Sequence, residues 1–192
     1  PFPVYAVLYG WRGTAIDAAL AAYFDDLYGC APRRIPLPDG TELRAGAEAH
    51  LVAWLGHNRL MDLERPELRA LLLRTESCAA LPKALVAVAC RTASYLGRFA
   101  SSEHRVPILL TDDLVFAGTH AFEAAARAFV SGGSLADIHR AAAAAYAQGQ
   151  HKPVERVRHA FVNPAHPRWT RFPWARLPAR ARVQQAAATA SR

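Results

Sequence analysis

An α/β domain, layered α/β/α around a mostly parallel sheet, is the fold class this sequence predicts. Two observations carry that expectation. Leu51–Leu55 (LVAWL), Leu85–Ala89 (LVAVA) and Val106–Leu110 (VPILL) are apolar at successive positions, the pattern of strands buried on both faces. Segments with apolar residues at three- and four-residue spacing precede and follow these runs, as crossover helices do.

In chain order, Val4–Tyr9 (VYAVLY) reads as a first buried strand, and Gly10–Gly13 then turns the chain. Thr14 can cap a helix with Asp17 at its third position. Ile16, Leu20, Tyr23, Phe24 and Leu27 share one helical face, and Gly29 is a natural stop. Pro38-Asp39-Gly40 between short alternating runs predicts a hairpin over residues 33–44. The run Leu51–Leu55 follows, then a short helix over residues 67–74 opened by Pro66. After Leu85–Ala89 and Val106–Leu110 come two helices. One is Thr119–Val130, with Phe122, Ala126, Phe129 and Val130 on one side. The other is capped by Ser134 and Asp137, with Leu135, Ile138, Ala142 and Tyr146 as its stripe.

The composition places limits on function. Residues 1–150 hold 14 basic and 15 acidic residues, a balance of −1, whereas residues 151–192 hold 9 basic residues against Glu155 alone, a balance of +8. The chain therefore divides into an α/β domain over 1–150 and a basic, proline- and aromatic-containing extension over 151–192. The near-neutral body argues against nucleic acid as its partner, while the extension could touch RNA, a membrane surface or an acidic protein. In the extension, Phe161, Trp169, Phe172 and Trp174 are positioned to strap back over the body. No apolar run approaches the roughly 18 residues of a membrane span. An odd cysteine count of 3 predicts no disulfide framework and favours a reducing, cytoplasmic setting. Cys30 and Cys78 are assigned structural roles.

The chemistry lies where two strands end. His57 stands two residues past Leu55 and Cys90 directly past Ala89. Ligands of parallel α/β sheets sit outside the carboxyl ends of the strands. If the strands are neighbours, an imidazole faces a thiol there and can draw its proton. The backbone N–H groups of Cys90 and Asn58 are the candidate donors to an oxyanion. A cysteine closing an apolar strand also serves as a small buried hydrophobe, and a histidine after a strand as a loop hydrogen-bonder. Both at matching strand ends favour a dyad. Asp62 reads either as an orienter of His57 or as a surface carboxylate. Other chemistries lack their patterns. A Cys-x5-Arg phosphate cradle would need arginine where Leu96 stands. No Cys-x-x-Cys, His-x-His or His-Glu-x-x-His spacing supports a metal. No Gly-x-Gly-x-x-Gly follows the first strand, so no cofactor is expected.

Leu85–Ala93 (LVAVACRTA) resembles the nucleophile strand of caspase-like cysteine peptidases, especially the bacterial CHAT branch, whose strand ends Ala-Cys-x-Thr-Ala. Gly56–Asp62 (GHNRLMD) is similar to a Gly-His-Asn-x-Leu-Met-Asp phrase of bacterial caspase-like proteins, and His57 precedes Cys90 in the order of that superfamily. The likeness is strongest over residues 51–95. Two positions depart from the family pattern: Asn58 and Thr92 each stand where it has glycine. The resemblance implies a caspase-like fold and a cysteine endopeptidase acting on peptide or protein, with Cys90 as nucleophile and His57 as acid/base. The alternative is a catalytically degenerate relative that binds or scaffolds partners. The family's pocket for the residue before the cleaved bond falls on Arg12, Val88 and Asp112 or Asp113. Arg12 would select an acidic residue and the aspartates Arg or Lys, with two carboxylates outweighing one cation.

Overall fold

The computed structural model describes residues 3–62, 70, 78, 82–96, 105–116 and 118–163. The architecture is mixed α/β, with a parallel three-stranded sheet of order β3-β4-β5 and a separate antiparallel hairpin, β1-β2. β1 is Pro32–Pro36, β2 Glu42–Gly46, β3 Leu51–Leu55, β4 Lys83–Val88 and β5 Arg105–Leu110. The helices are α1 Ile16–Tyr28, α2 Thr92–Leu96, α3 Thr119–Val130, α4 Leu135–Gly149 and α5 Val154–Val157.

Each non-alternating apolar run becomes a strand of the parallel sheet, and all six positions of both β4 and β5 are buried. Leu51 to Leu55 pair with Ala84 to Val88 one for one. Along β5, Leu85 pairs with Pro107 but Val86 with Leu109, so Ile108 is one residue in excess. Proline has no N–H to give a ladder, and it sits here beside an irregularity on an outer strand, where it is tolerated. α1 packs Leu20, Tyr23, Phe24 and Leu27 inward. Its Tyr23 hydroxyl donates to the Val86 carbonyl at 3.2 Å, so this buried phenol is satisfied. Burial nonetheless holds the Tyr23 phenol well above its ordinary pKa.

The hairpin closes as its turn residues require. Gly40 takes φ 82°, and Asp39 Oδ1 accepts from the Thr41 amide at 2.9 Å and hydroxyl at 2.6 Å. The base of β4 is less ordinary. Lys83 is buried and its ammonium donates to the carbonyls of Gly46, Ala47 and Ala49. One side chain thus ties the β2–β3 connection to the central strand. Desolvation lowers its pKa to about 8. α4 opens with the expected reciprocal cap: Ser134 Oγ accepts from the Asp137 amide at 3.2 Å, and Asp137 Oδ2 from the Ser134 amide at 2.9 Å.

Several expectations are corrected. Val4–Tyr9 is not a buried strand: it forms no regular element and is exposed, with Val4 60% and Leu8 79% accessible. Apolar content suits a strand to a core, but strand formation also needs a neighbour, and Tyr9 instead lies under the Arg33 guanidinium, 4.6 Å from its ring centre. Thr14 does not cap α1; a 3₁₀ turn, Gly13–Ala15, leads into the helix without a side-chain cap. Asp17 is drawn away to Arg59. α3 turns Ala121, Ala125 and Phe129 inward and leaves Val130 exposed. The small-residue line permits close approach to the alanine-rich α4. Cys30 and Cys78 form a disulfide with Cα atoms 5.0 Å apart, a spacing that a bridge spans. Their 48-residue separation kept the pairing out of any local pattern, and the bridge removes the cysteine count as grounds for a reducing compartment. The helix expected over residues 67–74 lies outside the described residues, except for Ala70.

The start of the extension packs on the body. Phe161 is buried, Thr111 and Phe161 form an antiparallel bridge, and the Val162 amide donates to Leu110 at 2.9 Å. Phe161 therefore straps as expected; Trp169, Phe172 and Trp174 lie outside the described residues. No described helix is long and apolar enough to cross a membrane.

Candidate active site

The register fixes the relation between the two strand ends. Leu55 is paired with Val88, and the Gly56 amide continues the ladder by donating to Val88 at 3.3 Å. His57 and Cys90 are each two residues beyond that last pair. Adjacent strands run about 5 Å apart, so the two residues leave neighbouring strands at the same level of the carboxyl edge.

The His57 turn is built from its own chain and from α1. Gly56 takes φ 144°, a conformation that favours glycine. The His57 carbonyl accepts from the Trp54 indole and the Arg59 amide, each at 3.1 Å. A 3₁₀ turn, Arg59–Asp62, follows. Arg59 Nε meets Asp17 Oδ1 at 2.6 Å and its Nη1 meets Asp62 Oδ2 at 2.7 Å. The same Asp62 oxygen stands 3.6 Å from His57 Nε2. Arg59 is the main reason the Asp62 carboxyl is held below its ordinary range, with His57 adding to it. The imidazole itself is 61% exposed.

The Cys90 turn is a strand–turn–helix: β4 ends at Val88, Arg91 takes φ 50°, and α2 begins at Thr92. Its peptide groups are held almost without gaps. The Thr92 hydroxyl donates to Ala87 at 2.9 Å, the Gly56 amide serves Val88, and the Thr111 hydroxyl donates to Ala89. Asn58 Nδ2 donates to Cys90 at 2.5 Å, and the Ser94 amide to Arg91 at 3.1 Å. Every carbonyl from Ala87 to Arg91 thus has a donor. The amides of Arg91, Thr92 and Ala93 donate to the Asp113 carbonyl, Thr111 Oγ1 and the Thr111 carbonyl. Among the described residues, the Cys90 N–H has no acceptor, and neither does the Asn58 N–H.

The side chains rest with other partners. The Cys90 thiol, free and half-buried, donates to the Val115 carbonyl at 3.6 Å, and no hydrogen bond joins Cys90 to His57 among the described residues. Asp113 is tied to the nucleophile turn through its carbonyl, while its carboxylate takes the Leu114 amide at 2.7 Å and lies 3.5 Å from His159 Nε2. Asp112 is exposed, its amide donating to Ala160. Arg12 is exposed and precedes the 3₁₀ turn that leads into α1. Of these three residues, Asp113 has a described bond to the cysteine turn, through its carbonyl to the Arg91 amide.

Three features escaped the sequence: the Asn58 side-chain clamp, the Asp17–Arg59–Asp62 chain behind His57, and the Thr92–Thr111 pair. The threonines carried a usable signal, since hydroxyls at the ends of apolar strands seek backbone partners. Among the described residues, no group of three or more His, Cys, Asp or Glu side chains is placed to hold a metal. No family model, no curated protein and no solved structure matches this chain.

Proposed function

We propose that this protein is a cysteine endopeptidase of caspase-like type, using Cys90 and His57 on peptide or protein substrates. One observation supports the reading: the Leu55–Val88 pairing ends two adjacent parallel strands level with each other, and His57 and Cys90 each follow that pair by two residues. With Nε2 turned to Asp62, Nδ1 is the ring nitrogen free to take the thiol proton. The thiolate attacks the scissile carbonyl, and the Cys90 and Asn58 amides, both without described acceptors, face the oxyanion. His57 then returns the proton to the departing amine, leaving a thioester on Cys90. Water, deprotonated by His57, cleaves the thioester, releasing the acid and restoring the thiol. Asp113, tied to the nucleophile turn, makes Arg or Lys the favoured residue before the cleaved bond.

The alternative, a degenerate relative that binds a partner, draws on a different observation: the thiol hydrogen-bonds to Val115. The two are separated by labelling wild type, His57→Ala and Cys90→Ala with a peptidyl electrophile and locating the modified cysteine by mass spectrometry. The peptidase reading expects selective labelling of Cys90 that collapses in His57→Ala. Labelling of equal rate in wild type and His57→Ala leaves the binding reading.

A further inference from the structure

We infer that Asn58 is a positioning residue that works through its side chain, bridging the histidine and cysteine turns by holding the Cys90–Arg91 peptide, so that the turn bearing Cys90 and its N–H keeps its place beside the His57 turn; the catalytic part of this inference rests on the peptidase reading. Asn58 is 2% exposed. Its Nδ2 donates to the Cys90 carbonyl at 2.5 Å while its Oδ1 accepts from the Leu60 amide at 3.1 Å. Both ends of a buried amide are thus engaged, one in the histidine turn and one in the cysteine turn.

The direction from which each peptide group is held shows why this hydrogen bond matters. The neighbouring peptide groups are fixed from the β5 side by Thr111 and Asp113. From the β3 side, the Gly56 amide holds the Val88 carbonyl and the Asn58 side chain holds the Cys90 carbonyl. Arg91, the next residue, holds a left-handed φ of 50°, a conformation that ordinary residues keep only where surroundings over-determine it. Without the Asn58 hydrogen bond, the Cys90–Arg91 peptide is held at its Arg91 N–H alone, by Asp113, and its carbonyl end is released. That release loosens the Cys90 Cα from the carbonyl side, and through it the Cys90 N–H of the preceding peptide, whose own carbonyl Thr111 holds.

The full chain tests this with Asn58→Ala and Asn58→Asp beside wild type. The first readout is amide hydrogen exchange at Arg91, whose N–H is bonded to Asp113. The second is the ratio of two Cys90 rates: acylation by a p-nitrophenyl ester of a capped amino acid, and alkylation by iodoacetamide. Acylation passes through an oxyanion and alkylation does not. In Asn58→Ala, Arg91 exchange should rise about tenfold or more. The acylation-to-alkylation ratio should fall about tenfold, a fraction of what outright removal of an oxyanion donor costs. Asn58→Asp should match Asn58→Ala near neutral pH and recover toward the wild-type ratio in mild acid, where a protonated carboxyl can again donate to the Cys90 carbonyl. Unchanged Arg91 exchange overturns the clamp. A parallel fall in both rates, with the ratio intact, marks a structural role and overturns the positioning claim. If the wild-type ester rate equals that of His57→Ala, the peptidase reading fails, and Arg91 exchange still decides the clamp.

Discussion

Replacing Thr111 with valine changes almost nothing in shape and removes one hydroxyl from a fully buried position, 0% exposed. That hydroxyl accepts from the Thr92 amide at 3.1 Å and donates to the Ala89 carbonyl. Its partner Thr92 mirrors it, accepting from the Thr111 amide and donating to Ala87, each at 2.9 Å. Two hydroxyl protons thus serve two carbonyls, and two hydroxyl oxygens serve two amides. Thr111→Val strands the Thr92 N–H and the Ala89 C=O where water cannot reach them. Each stranded group carries a penalty of about 1–3 kcal/mol, and the gain from an added methyl offsets part of it, so the net loss should be about 2–4 kcal/mol. Against a typical total of about 5–15 kcal/mol, this is a severe lesion for an isosteric change. At about 2–4 °C per kcal/mol for a chain of this size, Tm should drop by roughly 5–15 °C. Urea unfolding of the two proteins, with equal m-values, measures the difference directly. A loss below about 0.5 kcal/mol, the range of an ordinary surface substitution, would refute the reciprocal-threonine reasoning.

Two further predictions concern the body. Removing the Cys30–Cys78 bridge by serine substitution of both cysteines should cost about 2–4 kcal/mol, near the chain-entropy value for a loop of this length. In the unreduced folded protein Cys90 alone should take up a thiol reagent, and labelling of all three cysteines without reductant would disprove the bridge. Burial lowers the Lys83 pKa from 10.5 to about 8. Between those values the unfolded chain binds more protons than the folded one, so this group's contribution to stability rises with pH and is lost as pH falls toward 8. Subtracting the urea-derived stability profile of Lys83→Met from that of wild type should expose that slope, and a flat difference across the window would contradict it.

What the sequence made legible was whatever a local pattern encodes. Non-alternating apolar runs gave the three parallel strands, the 3.6-residue period gave α1 and α4, and Ser134 with Asp137 marked a cap that formed. The same logic failed at Val4–Tyr9, because apolar content says that a segment suits a core and nothing about whether a neighbouring strand receives it. It held only in part at α3, where Phe129 faces inward as expected but Ala121 and Ala125 complete the buried line and Val130 is exposed. Cys30 with Cys78, and Asn58 with Cys90, depend on positions brought together only by the tertiary fold. For the candidate site, the two side chains that define it were legible as strand ends, whereas the groups that hold their turns in place were not.

That division bears on the chemistry. The main chain around Cys90 is fixed at every carbonyl from Ala87 to Arg91, whereas the two side chains rest on weak, separable contacts: an S–H···O approach of 3.6 Å to Val115 and an exposed imidazole 3.6 Å from Asp62. Thiol hydrogen bonds are weak, and exposed ion pairs are screened by solvent. For His57 to serve Cys90 as proposed, the thiol must first leave Val115, a move that needs no change in the β3–β4 register. A factor of ten in rate corresponds to about 1.4 kcal/mol, and enzymes lower barriers by many times that amount. A resting arrangement in which the thiol faces Val115 thus imposes a small toll on a peptidase. A displaced Cys90 backbone would impose a large one, since the oxyanion donor would move with it. The sensitivity of such a site should accordingly lie in the side chains of Asn58, Thr92 and Thr111, which hold the main chain, as much as in Cys90 and His57.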